Sequence, residues 1–403
     1  MKNLRIFITL CISVMIISCS HEDETFESEF ETKNVEIVQK SSATIDGDNI
    51  VFPDPYFKKA LLESFTKIDL NGDNEISLEE AKNVTSLYLS YKGISNLSGI
   101  EYFTNIHTLI CDGNQLRTLH VCENTKLTKL SFQSNNVTTL DVSKNLDLKD
   151  LNFDYNRISS PNVSNNTKLT SISCKGNNIA SLNLSENLSL KFLDCSYNRL
   201  SFLNVGRNTE LTNLYCQNNK ITALDVSRFL RLRHLNFSRN NISTINLTKN
   251  TNLTYLISSY NPLNTIDVSK NTALGLFSCS ANNLTTLDVT KNTALRNIHC
   301  DRNQLALLNV SKNTALQGLY CHNNKITTLY LAKNNNLRYL KCSNNRLMYL
   351  NIKNGTNERL VRSELQGQDN PNFSCIQVDD PTASYLTKWK KDAHIIYSSL
   401  CTR

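Results

Sequence analysis

The stretch Asn213-Leu214-Tyr215-Cys216-Gln217-Asn218-Asn219-Lys220-Ile221-Thr222-Ala223-Leu224-Asp225-Val226-Ser227 decides the fold. Its apolar positions and its Asn219 return along the chain at a fixed distance. An Asn recurs every 21 residues without a slip: Asn114, Asn135, Asn156, Asn177, Asn198, Asn219, Asn240, Asn261, Asn282, Asn303, Asn324 and Asn345. One earlier unit of 22 residues, marked by Leu87, Leu89, Ile94, Leu97, Ile100 and Ile106, joins the array. A period of this size means one structural unit stacked many times, because no single unit can bury its own apolar face.

Each position has a physical reading. In Leu-x-Cys alternate residues point inward, as a strand requires. Strands of successive units then stack into a parallel sheet on a concave side. An Asn side chain carries two donors and an acceptor, so turned inward it can bond the backbone of adjacent loops and form a ladder. A unit of 21 residues leaves no room for a full helix on the convex side, which is expected to be extended or 3₁₀-like. A second Asn row runs there from Asn124 and Asn145 to Asn334 and breaks at Phe229 and Gly355. The pattern is the leucine-rich-repeat signature. The expected architecture is an α/β solenoid, a horseshoe with the sheet on its concave face and a small helical N-terminal cap.

Cys111, Cys174, Cys195, Cys216, Cys279, Cys300, Cys321 and Cys342 share one inward slot. Neighbours there would stand about 4.8 Å apart. Phe132, Phe153 and Phe237 fill the same slot, so it selects apolar volume, and the thiols read as free and buried.

The chain has 403 residues and a formal charge of +7, too little to argue for nucleic acid, and no concentrated Lys/Arg stripe is expected. Lys2 and Arg5 precede an apolar run, Ile6 to Ile17, too short to span a bilayer and ending Ser18-Cys19. This reads as an export signal whose Cys19 becomes lipidated. The acidic run His21-Glu22-Asp23-Glu24 points to display at the outer face of a bacterial outer membrane. Residues 19–48 read as a flexible acidic tether, 49–83 as the N-terminal cap, 84–354 as repeats and 355–403 as a C-terminal cap.

Both ends of a solenoid need covering. Cys375 and Cys401 lie outside the Cys slot and flank Trp389, Ile395, Ile396 and Tyr397, so they are candidates for a disulfide that staples the C-terminal cap. Cys122 sits at a turn and is a free-thiol candidate. In the N-terminal cap, Pro55 to Phe65 reads as a helix burying Phe57, Leu61 and Leu62. The following stretch, Asp69 to Glu80, matches an EF-hand calcium loop, with Asp69, Asn71, Asp73, the carbonyl of Glu75, Ser77 and Glu80 as the expected Ca²⁺ ligands. Asn74 replaces the usual Gly and tolerates a left-handed backbone. The expected ion is structural.

No catalytic motif appears: there is no Gly-rich phosphate loop, His-Glu-x-x-His or Gly-x-Ser-x-Gly. The period places Asp301 and His322 side by side, with His299 near, and this reads as a solvated surface pair. The outward concave positions carry Tyr155, Phe192, Tyr197, Tyr215, His234, Tyr255, Tyr260, His299, Tyr320, His322 and Tyr339. Exposed Tyr on a broad sheet suits recognition, since it offers area and a polar handle at low entropy cost.

The repeat phrase at Leu287 to Leu295, with Thr290 in place of Ser, returns at Leu308 to Leu316, with Asn309 in place of Asp. Together with the calcium-loop cap and the C-terminal Cys pair, it resembles the leucine-rich-repeat surface lipoproteins of Bacteroidetes. More distantly the array is similar to internalins, which bind host surface proteins through their concave faces. The resemblance implies a lipid-anchored, non-enzymatic surface protein that binds an extracellular or host protein. A glycan-capture lipoprotein and a structural envelope protein are the alternatives.

Overall fold

The computed structural model describes residues 43–64, 67–362 and 367–401. Thirteen parallel strands, from Ser86–Tyr88 to Tyr339–Lys341, form one sheet, and each of them is three residues long. The register advances one repeat at a time: Leu214 pairs with Leu193 on one side and Leu235 on the other. The middle residue of each strand is buried, and in most strands the flanking residues are half-buried and face the concavity. Period-two alternation at one edge of a 21-residue unit thus produces a continuous apolar spine, mostly Leu, with Ile172, Phe277 and Ile298 taking three of its places.

The two Asn rows hold the turns together differently. On the concave side, Asn240 Nδ2 donates to the carbonyls of Cys216, Phe237 and Ser238 at 3.0, 2.9 and 3.3 Å, and its Oδ1 accepts from Ile221 N at 2.9 Å. On the convex side, Asn271 Nδ2 donates to Leu247 O at 3.1 Å and Asn250 O at 2.8 Å, while its buried Oδ1 has no partner among the described residues. Phe229 interrupts the convex row, is fully buried, and still offers its carbonyl to Asn250 Nδ2 at 3.0 Å.

The residue before each concave Asn adopts positive φ, from Gly113 through Tyr155, Tyr197 and Tyr260 to Asn344, and Tyr91 does so at the equivalent place before Lys92. The column is filled by Gly in only two of these turns, at Gly113 and Gly176. A Cβ at Gly176 would stand 2.6 Å from the Tyr155 ring, so glycine there makes room for the tyrosine of the preceding turn.

The N-terminal cap starts earlier than the sequence pattern indicates. A hairpin, Thr44–Asp46 with Asn49–Val51, occupies the last part of the stretch read as tether, and Asn49 bridges to Ser77. The helix Pro55–Leu62 buries Phe57, Ala60 and Leu61. Asp54 caps it and also accepts from Ser95 N, Ser95 Oγ and Asn96 N at 2.7, 2.8 and 2.9 Å, which ties the cap to the first repeat. Burial alone would raise the Asp54 pKa, but these hydrogen bonds outweigh it and hold the carboxyl below its ordinary value.

The C-terminal segment continues the solenoid. Thr328–Tyr330, Tyr349–Asn351, Cys375–Gln377 and Ile396–Ser398 form a second parallel sheet, at a position in the repeat where earlier turns make isolated bridges such as Asp288–Asn309. Asn370 donates to Cys342 O and accepts from Leu347 N, so it is a further rung of the concave ladder, displaced by an insertion. Cys375 and Cys401 are disulfide-bonded, and Trp389 and Ile395 are buried beside them. Among the described residues no helix is long and apolar enough to cross a membrane. Residues 1–42, including Cys19, lie outside the described residues.

Candidate ligand-binding face

The fixed register turns residues 21 apart into neighbours. On the concave sheet this brings four predicted residues into one run. Phe192 and Tyr215 have ring centroids 5.8 Å apart, and His234 and Tyr255 are 5.5 Å apart. Between these pairs, Tyr215 Oη lies 3.1 Å and Asn213 Nδ2 3.0 Å from His234 Nδ1. Asn213 and Tyr215 thus both hold His234 through Nδ1, which fixes the ring between the two aromatic pairs. Burial raises the Tyr255 pKa, so the phenol stays a neutral donor and acceptor.

A second run lies towards the C-terminus, beyond the Leu276–Ser278 strand. His299 stacks on Tyr320 at 4.2 Å with the planes 5° apart, and Lys341 Nζ stands 5.9 Å from the Tyr320 centroid. His322 Nε2 is 3.6 Å from Asp301 Oδ2, and Asp301 Oδ1 accepts from Ser280 Oγ at 2.6 Å. Burial lowers the pKa of both histidines against the opposing pull of Asp301. Both are therefore neutral near pH 7, and the pair has the character of a polar contact more than of an ion pair. Tyr339, 42% exposed, flanks this run.

Tyr155, Tyr197 and Tyr260 sit apart from the strands, in the left-handed column at the rim. Lys175 Nζ lies 5.2 Å from the Tyr155 ring and 5.4 Å from the Tyr197 ring, bridging two turns. The Arg239 guanidinium stacks on Tyr260 at 4.1 Å, and Arg302 Nη1 donates to Tyr260 Oη at 3.3 Å. The sequence reading missed Asn213, Lys175, Arg239, Arg302 and Lys341. The signal was present: each is in the same outward register as a predicted aromatic.

The predicted calcium residues lie in one loop. Asn74 takes φ 62° and Gly72 φ 82°. Asp69 accepts from Gly72 N at 2.6 Å and Asn74 N at 3.0 Å, and Asp73 accepts from Glu75 N at 2.8 Å and from Asn71 Nδ2 at 2.8 Å. Glu80 accepts from Leu70 N and Ser77 N at 2.7 and 2.9 Å, and completes a capping box with Ser77 at the helix Leu78–Asn83. Among the described residues no three His, Cys, Asp or Glu side chains converge to hold a metal. These carboxylates are turned to the loop's own backbone.

The eight slot cysteines are fully buried and free, and burial pushes their thiols up, to about 12 for Cys216 and Cys342. Three of them occupy consecutive turns at Cys174, Cys195 and Cys216, and four at Cys279, Cys300, Cys321 and Cys342. The functional domain of InlJ from Listeria monocytogenes is described as including a cysteine ladder. It is 34% identical to this chain, covering 78% of this chain and 72% of that one, with a TM-score of 0.67. The chain belongs to the internalin-type leucine-rich-repeat proteins. An internalin, InlF, from Listeria monocytogenes shares the fold at 22% identity, covering 75% of this chain and 92% of that one, with a TM-score of 0.68. So does a leucine-rich-repeat protein of Leptospira interrogans, at 21% identity, 78% and 97% coverage and a TM-score of 0.57. No protein-family model matches this internalin-type chain, and no curated protein does.

Proposed function

We propose that this internalin-type chain is a lipid-anchored surface protein that binds an extracellular or host protein through its concave face. The observation that carries the reading is the run Phe192–Tyr215–His234–Tyr255, followed by His299–Tyr320 two turns further along the same sheet. Pre-packed rings lose little side-chain entropy on binding, and aromatic and Arg anchors dominate interface energies. A protein of the same solenoid fold, Toll, is solved in complex with Spatzle, so the fold is compatible with a protein ligand. The anchor rests on the Ser18-Cys19 motif and the preceding apolar run, and the outer-membrane surface on the acidic residues after it.

The test is binding of the full chain to arrays of extracellular proteins and of glycans, beside a Tyr215→Ala/Tyr255→Ala/Tyr320→Ala variant. A protein ligand lost by more than tenfold in the variant supports the reading. Capture of glycans alone would replace it with the glycan-capture alternative, and binding unchanged by the variant would sink the concave face as the site.

For the N-terminal loop we propose a structural Ca²⁺ held by Asp69, Asn71, Asp73, the Glu75 carbonyl, Ser77 and Glu80. The oxygen-rich donor set and the left-handed backbone at Asn74 support it. Glu80 must then exchange backbone N–H partners for the ion.

A further inference from the structure

The repeats are electrically lopsided. Residues 200–354 hold eighteen Lys and Arg against five Asp and Glu, a net +13 in a chain of +7. Part of this excess is aligned. In seven consecutive turns the residue just before the convex ladder position is a cation: Arg207, Arg228, Lys249, Lys270, Lys291, Lys312 and Lys333. The sequence reading expected no concentrated basic stripe, because along the chain these residues are 21 apart and look scattered. The fold corrects that. The turns stack about 4.8 Å apart, so the seven form a single file about 29 Å long.

The spacing is fixed by the ladder beside it. Asn208, Asn250, Asn271, Asn292, Asn313 and Asn334 each donate to carbonyls of the preceding turn. All seven cations are exposed. Of these seven, Arg207 alone forms an ion pair among the described residues, with Glu186 at 3.6 Å. Asp225, Asp267 and Asp288 lie three residues before a cation, but each carboxylate is engaged by the N–H two residues on, at 2.9, 2.8 and 2.8 Å. They thin the positive field without cancelling it.

We infer that this convex file of cations binds a linear anionic polysaccharide laid along the solenoid axis. A straight file of evenly spaced cations complements a polymer bearing a sulfate or carboxylate every few ångströms, by charge and by repeat. The residues before the cations are small or hydroxylic (Gly206, Ser227, Thr248, Ser269, Thr290, Ser311 and Ala332). They offer hydrogen bonds to sugar oxygens and no ring on which a nucleic-acid base could stack. This site is separate from the concave face and stands independently of the protein-binding proposal.

The test measures affinity of the full chain for heparin and for polygalacturonate across a salt series, with Lys249→Gln/Lys270→Gln/Lys291→Gln/Lys312→Gln as the variant. The expected result is binding to at least one of the two, weakened more than tenfold in the variant. The slope of log affinity against log salt should be shallower by about 3, at roughly 0.7–0.9 per neutralised contact. These side chains are exposed, and an unchanged unfolding temperature confirms that the variant is folded. A control, Lys92→Gln/Lys126→Gln/Lys220→Gln/Lys388→Gln, removes the same charge off the file and should bind like the parent. An equal loss in the control, or no binding to either polysaccharide, overturns the proposal. Duplex DNA or anionic vesicles competing better than heparin per charge would also overturn it, by assigning the file to another class of partner.

Discussion

Replacing Asn240 by Ala removes four hydrogen bonds, but their losses are unequal. Cys216 O keeps a bond from Asn219 Nδ2 at 3.1 Å, and Phe237 O keeps one from Asn261 Nδ2 at 3.1 Å. Each loses a shared partner, worth about 0.5–1.5 kcal/mol, while Ser238 O, the most distant acceptor at 3.3 Å, keeps Asn218 N at 3.0 Å and adds little. Ile221 N has Asn240 Oδ1 as its one acceptor among the described residues, so it becomes a buried orphan at about 1–3 kcal/mol. Together these give about 2–6 kcal/mol, centred near 4. The same change at Asn271 removes only two donor bonds. Leu247 O still accepts from Asn250 N and Asn250 O from Leu253 N, so that cost is about 1–3 kcal/mol, centred near 2. Urea unfolding of both variants, with hydrogen exchange to locate the weakened turns, measures the difference. Asn240→Ala should be the more damaging by about 2 kcal/mol, with lost protection centred on the turns that flank it, since each turn contacts only its neighbours. Equal costs, or a larger cost at Asn271, would refute the argument that the Ile221 N–H sets the difference.

Three further outcomes are expected. A thiol reagent added to the native chain should modify Cys122 and leave the slot cysteines unreacted until denaturant is added, because only Cys122 among the free described cysteines is not buried; labelling at Cys216 or Cys342 in the folded chain would contradict this. Millimolar calcium should raise the unfolding temperature of the N-terminal cap by a few degrees, and Glu80→Gln should abolish that response; calorimetry with and without chelator reads it, and no shift with calcium would refute the bound ion. Burial holds the pKa of His299 and His322 below 6.5 in the fold. The unfolded chain therefore takes up protons first as pH falls below about 6.5, and stability drops through that window towards the folded values. A His299→Gln/His322→Gln variant should lose less stability between pH 6.5 and 5 than the parent, and an identical loss would exclude these groups.

What could be read from the sequence was whatever repeats in one residue type. Asn219 and its equivalents had to be Asn, since no other side chain supplies the same donors and acceptor from that position, so the period showed at once. The aromatic runs and the Asp301–His322 contact followed from register alone. The left-handed column did not, because Tyr155, Gly176, Asn218, Arg239 and Ala281 all occupy it; the ladder imposes the backbone there, whatever the side chain. The rim cations were legible by register, since Lys175 aligns with His322 and Arg239 with Tyr155, Tyr197 and Tyr260. The extension past Asn354 was missed because the next rung, Asn370, comes after an insertion that breaks the period. The convex cations escaped because a window sliding along the chain meets one per turn, while the fold sets them abreast.

The constant register makes the solenoid a ruler. Removing one whole unit, for example residues 262 to 282, would bring the two aromatic runs one graduation closer, about 4.8 Å, without altering any ring. Adding a unit would part them by the same step. The distance between two binding patches is thus quantised, and lineages that gain or lose repeats would retune the span they measure while keeping every contact chemistry intact.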